Sequence, residues 1–303
     1  MDVNIIHYFL IFNTVLMGLL SFLHAYIEPY LSRVLVRLFL YGKYNLKTIR
    51  HPIIAKFEMP KRYFGQFYAL YTPIYFILFC LILNKYLYNK SVPERLLSLL
   101  DATLGASRKP LVPAESTILS ILIVTIHVAK RAYETYYVCV YSDTSINIYL
   151  YVFTFLYYLT LMLSLIGESE GFVRSSQASF SFHKFTTIQF ICAFIFLWST
   201  YMQLRSNYIL AGLRKNKHGD VVTKEHKIPF GELFNYVSSP LQLTEILMYL
   251  MLSAILWQST TIHYFTIFVI MNQVECAILA NHWYRNTFKN YPKERKLLIP
   301  YIW

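Results

Sequence analysis

The chain has 303 residues, 56% of them hydrophobic and 15% charged, with 27 Tyr and 23 Phe spread from end to end. That is more apolar surface than one water-soluble core can hide, and it places the chain in a membrane. A formal charge of +12 raises nucleic acid as a partner, but the lysines and arginines fall between apolar stretches. The bias therefore concerns topology, and nucleic acid is excluded.

A helix rising about 1.5 Å per residue needs roughly 17–25 apolar residues to cross about 30 Å of hydrocarbon. Such stretches occur at residues 5–27, 64–83, 116–140, 148–166, 185–204, 241–257 and 262–282. They predict an all-α polytopic membrane protein with about seven transmembrane helices. The first stretch has no basic n-region and no small-x-small cleavage site, so it reads as a retained helix. The loop after it carries Arg33, Arg37, Lys43, Lys47, Arg50, Lys56, Lys61 and Arg62. In the second loop, Pro93-Glu94-Arg95 precedes Leu96, Leu97, Leu99 and Leu100, the pattern of a short helix lying in the interface. Gly167 and Gly171 have G-x-x-x-G spacing, but Glu168 and Glu170 between them are costly in lipid, which predicts a loop rather than a dimerisation face. Six further basic residues lie in the fifth loop and five from Arg285 onward, on the same side as the first loop; the opposite side has seven. By the positive-inside rule the richer side is cytosolic and the N-terminus lies outside or in a lumen.

Cys80, Cys139, Cys192 and Cys276 each sit in or beside an apolar stretch with no pairing pattern, and read as packing residues. The nine histidines show no H-E-x-x-H spacing, so no metal is expected. With no G-x-G-x-x-G and no P-loop, a dinucleotide would bind here without a Rossmann fold. No internal repeat or low-complexity linker divides the chain, and residues 1–303 are expected to form a single membrane domain.

Ionisable groups inside spans cost about 2.5–3.5 kcal/mol each on insertion scales and usually line a cavity or site. His127, Lys130, Arg131 and Glu134 sit at i, i+3, i+4 and i+7, on one helical face of the third span. A self-paired Arg131–Glu134 bridge accounts for that face as readily as a site does. The sixth span opens on Ser238-Ser239-Pro240 with Glu245 one turn inside; in the seventh, Asn272, Glu275 and His282 share a face, with Tyr284 just beyond. With seven crossings, the third, fifth and seventh spans end on the cytosolic side and the sixth begins there. One polar cavity open to the cytosol would collect the whole set, and it suits a charged, water-soluble cofactor meeting a membrane-dissolved substrate. Arg214-Lys215-Asn216-Lys217 and His226-Lys227 in the fifth loop could hold cofactor phosphates; an ordinary positive-inside loop would look the same.

The run Ile228-Pro229-Phe230-Gly231-Glu232-Leu233-Phe234-Asn235-Tyr236-Val237-Ser238-Ser239-Pro240, with Glu245 following, resembles the signature of the steroid 5α-reductase family. So does the ending Tyr291-Pro292-Lys293-Glu294-Arg295 with Ile299-Pro300-Tyr301. Within that family, residues 208–217 and 57–64 most resemble the branch that reduces polyprenyl lipids in dolichol synthesis at the endoplasmic reticulum; the third span also resembles trans-2-enoyl-CoA reductases. The resemblance implies an NADPH-dependent reductase of a polyprenyl lipid double bond. It implies cofactor contacts at Gln203, Asn207, Arg214, His226, Glu245 and Tyr284, to which Lys130, Arg131, Lys215 and His282 are added from the polar set. Glu58, in Glu-Met-Pro, matches an acidic residue that helps polarise a substrate carbonyl. Val128 after His127, Leu241 four residues before Glu245, and Asn281 three before Tyr284 depart from the steroid enzymes and point away from a steroid ketone. Hydride adds readily to an alkene conjugated to a carbonyl, which takes up the charge. The expected substrate is therefore a polyprenyl aldehyde, with Glu58, kept protonated by burial, and then Glu134 as the candidates for holding its oxygen.

Overall fold

In a computed structural model, which describes residues 2–27 and 56–303, the chain folds into helices with one two-stranded ribbon. Arg33, Arg37, Lys43, Lys47 and Arg50 of the first loop lie outside the described residues. The helices are α1 (Ile5–Ile27), α2 (Gly65–Tyr88), α3 (Glu94–Leu104), α4 (Ala114–Tyr133), α5 (Ile148–Ile166), α6 (Thr187–Gly212), α7 (Pro240–Ile255) and α8 (Thr260–Thr287). The strands β1 (Glu58–Pro60) and β2 (Ser145–Asn147) pair antiparallel with Glu58 opposite Asn147.

Six of the described helices are long and apolar enough to cross a membrane, so this is a multi-pass membrane protein. The expected count of seven is not reached on that criterion. The stretch predicted at 241–257 is α7, whose 16 residues extend only about 24 Å at about 1.5 Å each, short of about 30 Å of hydrocarbon. The interfacial pattern after Pro93 is α3, closed by Gly105 at φ 90°.

Local chemistry sets the helix ends. Thr186 and Gln189 form a reciprocal capping box at the start of α6, and Ser259 accepts from the Ile262 amide at the start of α8. Pro240 occupies the first position of α7, where its missing N–H is no loss. Gly167, after α5, has no room for a side chain: a Cβ there would stand 2.0 Å from Leu104 Cδ1. Beside it the buried Glu168 carboxylate accepts from Ser259 Oγ, Thr260 Oγ1 and the Thr261 amide, tying the end of α5 to the start of α8.

The core between helices is aromatic. Phe67, Tyr68 and Tyr71 of α2 pack on Tyr158 of α5, and its neighbour Tyr157 packs on Phe265 and Phe268 of α8. Buried tyrosines need hydroxyl partners in a medium without water. Tyr71 donates to Phe155 O at 2.6 Å, Tyr75 to Tyr158 O at 3.0 Å, and Tyr157 to Tyr249 Oη at 2.6 Å.

Candidate functional site

At one end of the bundle α4 closes in a π-helical turn, Glu134–Val138, with the Cys139 amide reaching back to Glu134 O. Wider turns of this kind recur at functional sites because they re-aim side chains. Here the chain leaves the helix along the rim of a cavity of about 360 Å³. Its wall is built from residues 139–142 after α4, the end of α6 with Asn207 and Arg214, the loop 225–227, the start of α7, the Cys276–Ala280–Tyr284 face of α8, and Lys61.

Arg214 ties two walls together. Its guanidinium donates to Val140 O and sits 2.6 Å from His226 Nδ1, while its backbone carbonyl accepts from the Val222 amide. Burial lowers its pKa, but a guanidinium remains charged under any working condition. His226 lies edge-on to Trp283, with ring centroids 5.1 Å apart. Tyr284 stacks on Tyr291 at 5.2 Å, and Tyr291 Oη donates to Ser238 Oγ at 2.9 Å, so the tail after α8 buttresses the wall from behind. Burial raises the Tyr141 hydroxyl to about 12 and also raises the Cys139 thiol, so both stay protonated near neutral pH.

One helical turn deeper lies a second polar layer. Glu134, with no exposed side-chain surface, faces Lys130 Nζ at 3.2 Å and Arg131 Nη1 at 2.5 Å. Arg131 Nε donates to Tyr68 Oη at 3.0 Å, and its guanidinium rests over the Tyr68 ring. Gln203 accepts from Lys130 at 2.5 Å and donates to Glu245 Oε2 at 2.6 Å. Gln203 is one turn below Asn207 on α6, and Glu245 one turn below Leu241 on α7. Two basic and two acidic side chains thus share one hydrogen-bonded cluster beneath the cavity.

Of the residues singled out in the sequence, Asn207, Arg214, His226 and Tyr284 line the cavity, and Lys130, Arg131, Glu134, Gln203 and Glu245 form the layer beneath it. The Arg131–Glu134 bridge is present, extended by Lys130 and Gln203. Asn272 and Glu275 of α8, expected in the same cavity, are not on its wall, and three further residues are placed elsewhere. Lys215 pairs its backbone with Val221 in the fifth-loop hairpin, outside the cavity wall. His282 is exposed, two residues out of phase with the Cys276–Ala280–Tyr284 face, so helical periodicity turns it away. Glu58 is half-buried in the ribbon, accepting from Ser145 Oγ at 2.6 Å, rather than sealed in a dry cavity.

The cavity wall also holds Tyr141 and Ser142, which the sequence does not single out, Lys61, which it marks only as a basic loop residue, and Cys139 and Cys276, which it marks only as packing. Ser238-Ser239-Pro240 was visible as a helix start. The stretch 139–142 carries no signal of its own, because the turn that aims it is a tertiary feature.

Residues 169–303 match the family described as 3-oxo-5-alpha-steroid 4-dehydrogenase. Across nearly the whole chain the similarity is to polyprenal reductases. Identity to that of Drosophila melanogaster is 31% over 285 residues, covering 92% of this chain and 87% of the relative. For Caenorhabditis elegans it is 33% over 278 residues, covering 90% and 89%, and for Homo sapiens 30% over 271, covering 86% and 84%. The chain belongs to the polyprenal reductase branch of the steroid 5α-reductase family. It is an oxidoreductase of a family that implies a nicotinamide cofactor. The donor set of the cavity fits one. Lys61, Arg214, His226 and Lys227 can meet phosphates, and the buried Asn207 Nδ2 and Ser239 Oγ have no partner among the described residues.

Proposed function

We propose that the chain reduces the α-isoprene double bond of a polyprenal with NADPH, in dolichol synthesis for protein N-glycosylation at the endoplasmic reticulum membrane, with the cavity open to the cytosol. The carrying observation is the stacking of a cation-rich cavity directly on an intramembrane polar cluster, in a chain similar to polyprenal reductases over about nine-tenths of its length. A water-soluble dinucleotide and a membrane-dissolved enal can meet at that junction and at few other places in a bilayer protein.

When bound, NADPH supplies the hydride for the β-carbon of the enal. A proton at the α-carbon completes the reduction, and the chain's own residues bind and position the reactants. Arg214, His226, Lys227 and Lys61 hold the cofactor's phosphates, with Asn207 and Tyr284 on its flank. The charge that develops on the aldehyde oxygen needs a donor in a water-poor site; Glu58, three residues before Lys61, is the proposed partner. Glu134, clamped by Lys130 and Arg131, acts as the counter-ion that keeps two cations in the span beneath the cavity.

The test is NADPH consumption by purified protein in detergent, offered polyprenal, polyprenol, a steroid enone and a trans-2-enoyl-CoA side by side. Turnover of polyprenal is the expected result. Turnover of the enoyl-CoA or the steroid alone moves the chain to a sister activity, and no turnover with any of the four defeats the reductase reading.

A further inference from the structure

Six exposed side chains of α6, Ile191, Phe194, Trp198, Tyr201, Arg205 and Tyr208, recur at spacings of three and four and so share one face of the helix. Along that face the chemistry changes from Ile and Phe to Trp and Tyr and then to a cation, the order in which hydrocarbon gives way to headgroups at a bilayer surface. Arg205, near the outer end, is held by Glu232, with its Nε 2.8 Å from Oε1. Glu232 belongs to the loop that leads into α7. This loop therefore lies beside the lipid-facing side of the bundle, at the depth of the headgroups.

Residues 291–303 are bound to the same loop. Lys296 N donates to Tyr236 O at 3.0 Å, Ser238 N donates to Lys296 O at 2.8 Å, and the Tyr236 and Tyr301 rings lie 5.6 Å apart. Together the two segments expose Phe230, Tyr236, Ile299, Tyr301, Ile302 and Trp303, with Tyr301 78% and Ile302 75% accessible. These last two stand on a turn closed by the Leu298 and Ile299 amides on Trp303 O, in which Tyr301 takes φ 66°, a conformation costly for a residue with a Cβ. Large apolar side chains set on a strained turn call for an apolar neighbour outside the chain. Around them Lys289, Lys293 and Lys296 are exposed, with Glu294 the one exposed acid of residues 289–303.

We propose that the loop 228–237 and residues 291–303 form an interfacial seat, which beds Tyr301, Ile302 and Trp303 in the adjoining leaflet and takes anionic phospholipid headgroups on Lys293 and Lys296. Two features select a lipid surface as the occupant. The patch continues the lipid-facing stripe of α6, and its aromatic rings and lysines suit the boundary of an anionic leaflet. The seat also reaches the cavity, because Ser238, tied to Lys296 through its amide and to Tyr291 through its hydroxyl, is part of the cavity wall. Lipid that holds the seat steadies that wall, so the stability of the chain responds to the charge of the leaflet.

The test uses the full-length protein in lipid nanodiscs, with Trp303 emission isolated as the difference between the wild type and Trp303→Leu. In phosphatidylcholine discs that emission should be quenched by phosphatidylcholine brominated near its headgroup and spared by aqueous iodide. Replacing part of the phosphatidylcholine with phosphatidylserine should raise the Tm by about 2–4 °C for each engaged lysine. Lys293→Gln combined with Lys296→Gln should abolish that rise and leave the Tm in pure phosphatidylcholine unchanged. Quenching of Trp303 by iodide alone puts the patch in water and overturns the seat. Shielding from both quenchers in discs that hold two copies makes the patch an interface between copies, which overturns it as well. A phosphatidylserine shift that is absent, or that survives the double lysine variant, overturns the headgroup site.

Discussion

Lys130 Nζ lies 2.5 Å from Gln203 Oε1, and the other end of the same Gln203 amide donates to Glu245 Oε2 at 2.6 Å. One neutral side chain therefore satisfies a cation on α4 and a carboxylate on α7 from its place on α6. Gln203→Leu fits the space but leaves both charges short of a partner where water is scarce. We expect a loss of about 3 kcal/mol or more, seen as a clear drop in Tm and in folded yield. An unchanged Tm would mean that Lys130 and Glu245 find each other unaided.

Arg214 holds Val140 O and His226 at once through a planar fork. Arg214→Lys keeps the charge and loses the fork. The KM for NADPH should rise about ten-fold, as for one hydrogen bond to a charged group, with kcat little changed. A fall in kcat at constant KM would place Arg214 in the chemical step instead.

The spans were legible because about 20 consecutive apolar residues have few alternative fates; α5 falls on its predicted limits, Ile148–Ile166. The polar face of α4 was legible from 3.6-residue spacing alone. What periodicity could not supply was partners. Nothing in the spacing joined Gln203 to Lys130, or distinguished Tyr284 from His282 two residues earlier. Nor did it show that the chain after Val138 would form a cavity wall. Glu58 was singled out by resemblance, and the ribbon that holds it depends on pairing with β2, almost ninety residues away.

On the opposite end of the bundle, Asp101 is bound by Arg108 and by Arg174 Nε at 2.5 Å, and Arg174 also pairs with Glu94. Burial alone would raise the Asp101 carboxyl, but hydrogen bonds from Arg108 and Arg174 outweigh it and hold the group below its ordinary 3.8. The Arg174 hydrogen bond lowers Glu94 in the same sense. A carboxyl lowered on folding stabilises the fold above its ordinary pKa and ceases to do so as pH falls through the folded value. The Tm of the wild type should therefore decline below about pH 4. Asp101→Asn should begin lower near neutral pH and show a shallower acid limb. Parallel acid limbs in the two proteins would assign the decline to other groups.

Gly167 sits where α5 ends against α3, with Leu104 Cδ1 only 2.0 Å and Leu163 O 2.8 Å from where a Cβ would be. Gly167→Ala should cost about 1–3 kcal/mol by overpacking, and Leu104→Ala in the same chain should return part of it by making room. Thermal unfolding of the two single variants and the double variant measures the coupling. Strictly additive effects would mean that the clash is with the Leu163 carbonyl rather than with the Leu104 side chain.

Glu58 accepts from Ser145 Oγ across the ribbon, three residues before the cavity residue Lys61. Glu58→Gln preserves shape and a hydrogen bond to Ser145 while removing the acid. If the carboxyl meets the aldehyde oxygen during hydride addition, kcat with polyprenal should fall by about a hundred-fold or more while NADP+ affinity and Tm stay as in the wild type. Ser145→Ala frees the carboxyl without removing it, and should lower kcat far less. Full turnover in Glu58→Gln at normal protein level would take Glu58 out of the reaction and leave it the ribbon alone.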